Sequence, residues 1–277
     1  MNIMLLVFSI LPVFLIGYYI YNKDKNKESN GLIVKLLLGG LGAAVITVIA
    51  SLIIELIFNI SMTTYTIYSE IELLFYAFIC VALIEEVSKW LVLYKIGFKN
   101  VEYNEAYDML LYGAFVGLGF ACIENILYVS TGGIETAITR ALTAVPMHAI
   151  LGVIMGYYLD KLRENINVQN NYKVLSIIIP ILIHGLYDYC LMIEIGVVSM
   201  ALLIGTFIYA LKLINEVSKK SVVVPKINNN ENMNISSIQN NLNQNINTQN
   251  NYQENFCSTC GSPYEQNSCK VCGRKRK

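Results

Sequence analysis

Two adjacent carboxylates, Glu85 and Glu86, stand with Lys89 inside the apolar run Ala82-Leu83-Ile84-Glu85-Glu86-Val87-Ser88-Lys89-Trp90. At the centre of a membrane helix each acid costs about 2.5–3.5 kcal/mol on insertion scales, so each needs a partner or a task. Lys89 lies four residues after Glu85 and three after Glu86, within reach of either on a helix. Adjacent helical residues point about 100° apart. One carboxylate can therefore be held by Lys89 while the other faces a polar cavity. A purely structural ion pair needs one Glu and one Lys. The second Glu points to acid–base chemistry.

A third acid in an apolar run, Glu124, lies beside Asn125 with no basic residue on its own helix. Its partner comes from elsewhere, or it is protonated. The chain has only two histidines, His148 and His184, and both fall in apolar runs. His148 follows Pro146, which removes a backbone donor and can kink a helix. His184 has Asp188 one turn on, where it can fix the ring's tautomer. A lone buried histidine is more often a satisfied core residue than a ligand. Two of them, accompanied by acids on neighbouring runs, are harder to read as filler. Glu124, His148 and His184 also make a possible three-ligand metal set with a position left for water.

A separate group lies at the C-terminal end, as Cys257-x-x-Cys260 and Cys269-x-x-Cys272 with Gly261 and Gly273 after the pairs. Paired knuckles of this kind present four thiolates to one tetrahedral Zn²⁺. The alternative is two disulfides, which a reducing cytoplasm disfavours. Four thiolates leave no open position, so this zinc is structural and the ribbon suits docking to a cytoplasmic partner or sensing. The closing Arg274-Lys275-Arg276-Lys277 is either a contact for anionic lipid or a solvated end.

The elements that must position these residues follow from composition. The chain has 277 residues, 55% hydrophobic and 14% charged, with twenty Lys+Arg against twenty Asp+Glu. An ordinary soluble domain has roughly 25% charged residues. A soluble enzyme and a nucleic-acid binder acting through bulk positive charge are both excluded. What remains is an all-α polytopic membrane protein. A crossing helix needs about 20 apolar residues. Seven stretches qualify: Ile3 to Tyr21, Ile33 to Phe58, Glu72 to Phe98, Ala106 to Ser130, Ile134 to Leu159, Val174 to Met192 and Ile195 to Ile214. Basic residues cluster after the first, third, fifth and seventh, and the alternate loops lack them. The positive-inside rule then puts the N-terminus outside and the C-terminus in the cytoplasm. Residues 1–220 form the membrane domain, with its motifs in 72–192. Residues 221–255 are an Asn-rich flexible linker, and 256–277 hold the zinc ribbon. Gly113 and Gly117, like Gly152 and Gly156, mark faces for close helix approach.

Taken together, Glu85-Glu86-x-x-Lys89, Phe120-x-x-x-Glu124, His148 and His184-x-x-x-Asp188 resemble the motif set of the PrsW-type intramembrane proteases. That family shares a superfamily with the CAAX prenyl-endopeptidases and the scaffold subunit APH-1. The resemblance implies a peptidase in the bacterial cytoplasmic membrane that makes the first cut in a membrane-anchored anti-sigma factor. It implies that Glu85 and Glu86 are the catalytic pair, one of them acting as base on a water. His148 or Glu124 would orient that water, and His184 with Asp188 would donate to the oxyanion. The resemblance leaves open whether a metal takes part. Glu124 stands where the CAAX enzymes commonly carry His, which weighs against a prenyl-protein substrate. A non-catalytic scaffold of the APH-1 kind and a proton-coupled transporter are the competing readings. The transporter would favour an internal repeat with broken helices, and none is visible.

Overall fold

The computed structural model describes residues 3–24, 26–58, 69–164 and 169–220, together with 264–265 and 268–269. Residues 1–223 form one compact unit and residues 224–277 a second. In the first unit, α1 spans Ile3–Lys23 and α2 spans Asn30–Phe58. A continuous helical stretch follows, built as α3 (Glu70–Phe75), π-helical turns Tyr76–Leu83, α4 (Ile84–Val92) and π-helical turns Leu93–Phe98. Then come α5 (Ala106–Leu142), α6 (Ala144–Glu164), α7 (Gln169–Met192) and α8 (Gly196–Lys220). Ser69 starts α3 with a reciprocal cap: its hydroxyl accepts from the Glu72 amide while the Glu72 carboxylate accepts from the Ser69 amide.

Where the sequence predicts seven spans, five described stretches have the length and hydropathy to cross a membrane. They are Ile3–Lys23, Asn30–Ile54, Ala106–Arg163, Asn171–Met192 and Gly196–Lys219. The stretch Glu70–Phe98, with its acids and lysines, is not among them. Ala106–Arg163 covers two of the expected spans. The helical path breaks at Gly133, within the expected 131–134 connection, where a φ of 70° and ψ of −155° are non-helical and suit a residue without a Cβ. The expected single helix from Ile134 to Leu159 is also divided, at Thr143 (φ −122°, ψ −77°). The cause is Pro146, which lacks an N–H and clashes with the carbonyl four residues earlier, at Leu142. The helix restarts as the Met147 amide donates to the Thr143 carbonyl.

The centre of the bundle is the α5–α6 pair. Its close approach rests on glycines. A Cβ on Gly113 would run into the carbonyl oxygen of Gly152, and one on Gly152 into that of Gly113. Gly117 faces the His148 carbonyl in the same way. The outer helices α1, α2 and α8 leave most of their apolar side chains exposed, as a lipid-facing ring would.

The loops after α1 and before α5 are tied by buried polar contacts. The Tyr112 hydroxyl donates to Glu28 at 2.7 Å, and the Tyr103 hydroxyl to Asp160 at 2.6 Å. Burial pushes the Glu28 carboxyl up to about 7, with the charge of Asp108 adding to the effect.

In the second unit, β1 (Tyr264–Glu265) and β2 (Ser268–Cys269) pair antiparallel with Tyr264 opposite Cys269. The other expected zinc ligands, Cys257, Cys260 and Cys272, lie outside the described residues, as does the Asn-rich linker.

Candidate active site

One turn of α4, between the two π-helical segments, carries Glu85, Glu86 and Lys89. Wide π turns shift helical register locally and recur at functional sites. Across from this turn, α6 brings His148, α5 brings Phe120 and Glu124, and α7 brings His184 and Asp188. The glycine contact at Gly117 sets the depth of His148, because it presses α5 directly onto that residue's backbone.

Lys89 is the hub. Its ammonium lies 2.8 Å from Glu86 Oε1, 3.2 Å from Glu85 Oε2 and 2.9 Å from His148 Nδ1. The Phe120 ring covers it, with its centroid 4.0 Å away. The sequence expectation was that Lys89 would hold one carboxylate and free the other. It holds both, and the two acids still differ. Glu86 is fully buried, and among the described residues its Oε2 has no hydrogen-bond partner. Glu85 lines a cavity of about 300 Å³ between α2, α4 and α5, and Glu124 lines the same cavity.

His148 bridges the two sides of the cluster. Its Nδ1 faces the Lys89 ammonium, which can only donate, so Nδ1 accepts and the proton is on Nε2. Nε2 then donates to Glu124 Oε2 at 2.5 Å. His184 differs, because a carboxylate oxygen faces each ring nitrogen. Nδ1 is 2.8 Å from Glu86 Oε1 and Nε2 is 3.3 Å from Asp188 Oδ2, so both nitrogens can carry and donate a proton. His184 Nε2 also lies 3.9 Å from Glu85 Oε2. The two imidazoles meet edge to face, with centroids 5.5 Å apart. All the expected residues of the membrane domain thus belong to one connected cluster.

The partner of Glu124 is a residue that the sequence reading passed over. Arg140, on the piece of α5 beyond Gly133, places Nη2 3.0 Å from Glu124 Oε2. Its Nε donates to Asn125 Oδ1 at 2.9 Å, and its guanidinium lies over the Tyr128 ring at 4.1 Å. Asn125 in turn donates to the Ser9 carbonyl of α1 at 2.7 Å. A signal was present: Arg140 is the only Lys or Arg between Lys99 and Lys161. A lone cation within an apolar run requires a partner as much as a lone acid does.

The possible metal set also changes. Ligand atoms of Glu85, Glu86, His148 and His184 lie within 4.8 Å of one another. Glu124, expected in the set, is on the far side of the His148 ring and is engaged by Arg140. Carboxylates and imidazoles are suitable ligands for a zinc-like ion. Three of the four, Glu85, Glu86 and His148, are nevertheless engaged by the Lys89 ammonium at hydrogen-bonding distances of 2.8–3.2 Å. Zinc would need about 2.0–2.2 Å to such atoms. As arranged, the donors enclose an ammonium and do not admit a metal unless Lys89 withdraws.

Comparison with known proteins identifies the family. The sequence model of the PrsW family intramembrane metalloproteases matches residues 27–213, which include the whole cluster. The Protease PrsW of Oceanobacillus iheyensis is 36% identical over 208 residues, covering 74% of this chain and 89% of that protein. The Protease PrsW of Clostridioides difficile is 31% identical over 202 residues, covering 70% and 82%. The Protease PrsW of Halalkalibacterium halodurans is 45% identical over 117 residues, covering 42% and 54%. No solved structure matches the chain. A buried set of acids and histidines among apolar helices, within a match of this extent, makes the chain a multi-pass membrane peptidase that belongs to the PrsW family.

Proposed function

We propose that this peptidase makes the first cut in a membrane-anchored, anti-sigma-factor-like protein, with Glu85 as the general base. The observation that carries the assignment is the unequal placement of the two acids. Glu85 faces the cavity and Glu86 is sealed behind it. A water in the cavity gives its proton to Glu85 as its oxygen attacks the scissile carbonyl. His184, with a donor nitrogen near Glu85 and Asp188 behind it, stabilises the oxyanion. Collapse of the tetrahedral species breaks the C–N bond, and Glu85 returns the proton to the leaving amine. Glu86 and Lys89 hold Glu85 and His184 in place, and Glu124 fixes the tautomer of His148.

The family's description names a metalloprotease. A divalent ion, if bound, would be held by Glu85, Glu86, His148 and His184 and would polarise a water or the carbonyl. Because Lys89 engages three of these four, we favour the metal-free arrangement. Zinc is assigned only to the C-terminal cysteines. The seven-pass topology, with the N-terminus outside and a cytoplasmic tail, remains our reading. The turn at Gly133 makes two passes of α5 and its continuation into α6, and Glu70–Phe98 supplies another.

The test is co-expression with a panel of single-span anti-sigma factors. Glu85→Gln should lower cleavage about 10²–10⁴-fold, the usual contribution of a positioned base. Equal cleavage by the variant would remove Glu85 from the role. A purified chain with Cys257, Cys260, Cys269 and Cys272 changed to Ser should keep its activity in chelator. Loss of activity that Zn²⁺ restores would overturn the metal-free reading.

A further inference from the structure

The helices α2 and α5 meet tightly at one end and part at the other. A Cβ on Gly40 would strike the Val116 carbonyl, and one on Gly119 the Leu37 carbonyl, so the backbones touch there. One turn further on, contact gives way to the cavity. Its α2 wall is Ala44, Thr47, Val48, Ser51 and Leu52, and its α5 wall is Phe120, Ile123, Glu124, Leu127 and Tyr128. Both walls follow the spacing i, i+3, i+4, i+7, i+8, which is one face of a helix. Beyond the contact of Ala44 with Phe120 the two helix faces therefore diverge across a V.

The floor of the V is closed by Ala44 and Phe120, each 2% exposed. The mouth is open, with Leu52 at 59% and Leu127 at 46%. The walled length from Ala44 to Leu52 is about 12 Å at the helical rise of 1.5 Å per residue. That is room for about four residues of extended chain at roughly 3.3 Å each. The charged groups in the wall are Glu85 and Glu124, both acidic; on the α2 side Ser51 offers a hydroxyl, while that of Thr47 lies 3.0 Å from the Ala43 carbonyl it donates to and 3.1 Å from the Ser88 hydroxyl.

We infer that the cleft between α2 and α5 is the lateral entrance and binding groove for the substrate, which lies in it as an extended, uncharged stretch of a membrane-anchored polypeptide. The inference rests on the peptidase reading above and adds the route and the class of segment. A peptide bond can be cut only when its strand is open, because a helix hides its carbonyls in its own hydrogen bonds. The Ser51 hydroxyl can hold such a strand, and among the described residues of the lining none is a cation that could pair with an Asp or Glu within it. Entry is sideways from the lipid, at the end of α2 remote from the lysines that precede that helix.

The probe is the same panel of single-span anti-sigma factors. Val48→Trp and Leu52→Trp fill the mouth at positions already exposed, so neither disturbs the core. Each should lower cleavage at least ten-fold, while Ile208→Trp, on an equally exposed face of α8, leaves it unchanged. In a Glu85→Gln full-length chain, a photo-crosslinking residue at position 52 should capture the panel member that wild type cuts, and one at position 208 should not. A member that is cut normally by both Trp variants, or captured equally at 208, overturns the entrance but leaves the peptidase reading standing. A member captured at 52 but never cut by wild type overturns the cleft as a route to Glu85. If none is cut or captured, the substrate reading falls and the entrance with it.

Discussion

Replacing Glu86 and replacing Glu85 should have different consequences, although the two are neighbours in sequence. Glu86 accepts from Lys89 and His184 with no access to the cavity. Removing one partner from a buried ion pair typically costs about 3–5 kcal/mol, because the other charge is left uncompensated. Glu86→Gln should therefore reduce the amount of folded protein in membranes, whereas Glu85→Gln leaves it near normal and removes turnover. Quantitative immunoblotting beside the cleavage assay separates the two. Arg140 is a positioning residue by the same logic. Arg140→Gln should lower kcat by ten-fold or more with little change in KM, and Arg140→Lys should recover part of it. An equal loss in both variants would speak against positioning. Glu85, Glu86, His148, His184 and Asp188 were legible in the sequence because charge is scarce there and each interrupts an apolar run. The division of labour between the two acids was not legible, since it depends on which of them α2 and α5 leave uncovered. Nor was the engagement of Lys89 with three of the metal set, since its reach to His148 crosses to another helix.

At the scale of elements, glycine contacts set the spacing on which the site depends. Gly117→Ala would force a Cβ against the His148 carbonyl, whereas the Cβ position of Gly42 is open. Overpacking costs about 1–3 kcal/mol even where side chains can adjust, and here the obstacle is backbone. Gly117→Ala should lower both the melting temperature and cleavage, and Gly42→Ala neither. The small-residue spacing made these faces visible in advance. The break at Thr143 was half visible: Pro146 announced a kink, but its position depends on the carbonyl the ring excludes. The loop after α1 brings a different expectation. Burial raises Glu28 from 4.5 to about 7. A carboxyl raised on folding contributes stability that is whole below pH 4.5 and is lost as pH rises through about 7. Thermal melts of the solubilised protein should fall between pH 6 and pH 8, and Glu28→Gln should flatten that slope.

At the scale of the whole molecule, the pairing pattern has a consequence for how the chain enters a membrane. Glu85, Glu86 and Lys89 share one turn, so the Glu70–Phe98 stretch brings its own counter-ion. It can leave the insertion machinery alone, before any neighbour arrives. Glu124 is different, because its cation, Arg140, is on the returning limb beyond Gly133. The first limb of α5 would carry a bare acid if it moved into lipid by itself. The two limbs should instead be released together, as a preformed hairpin, once Arg140 has emerged. Nascent chains cut short after Ser130 should therefore remain extractable or near the translocon. Chains extended past His148 should integrate, and Arg140→Gln should return the longer chain to the behaviour of the shorter.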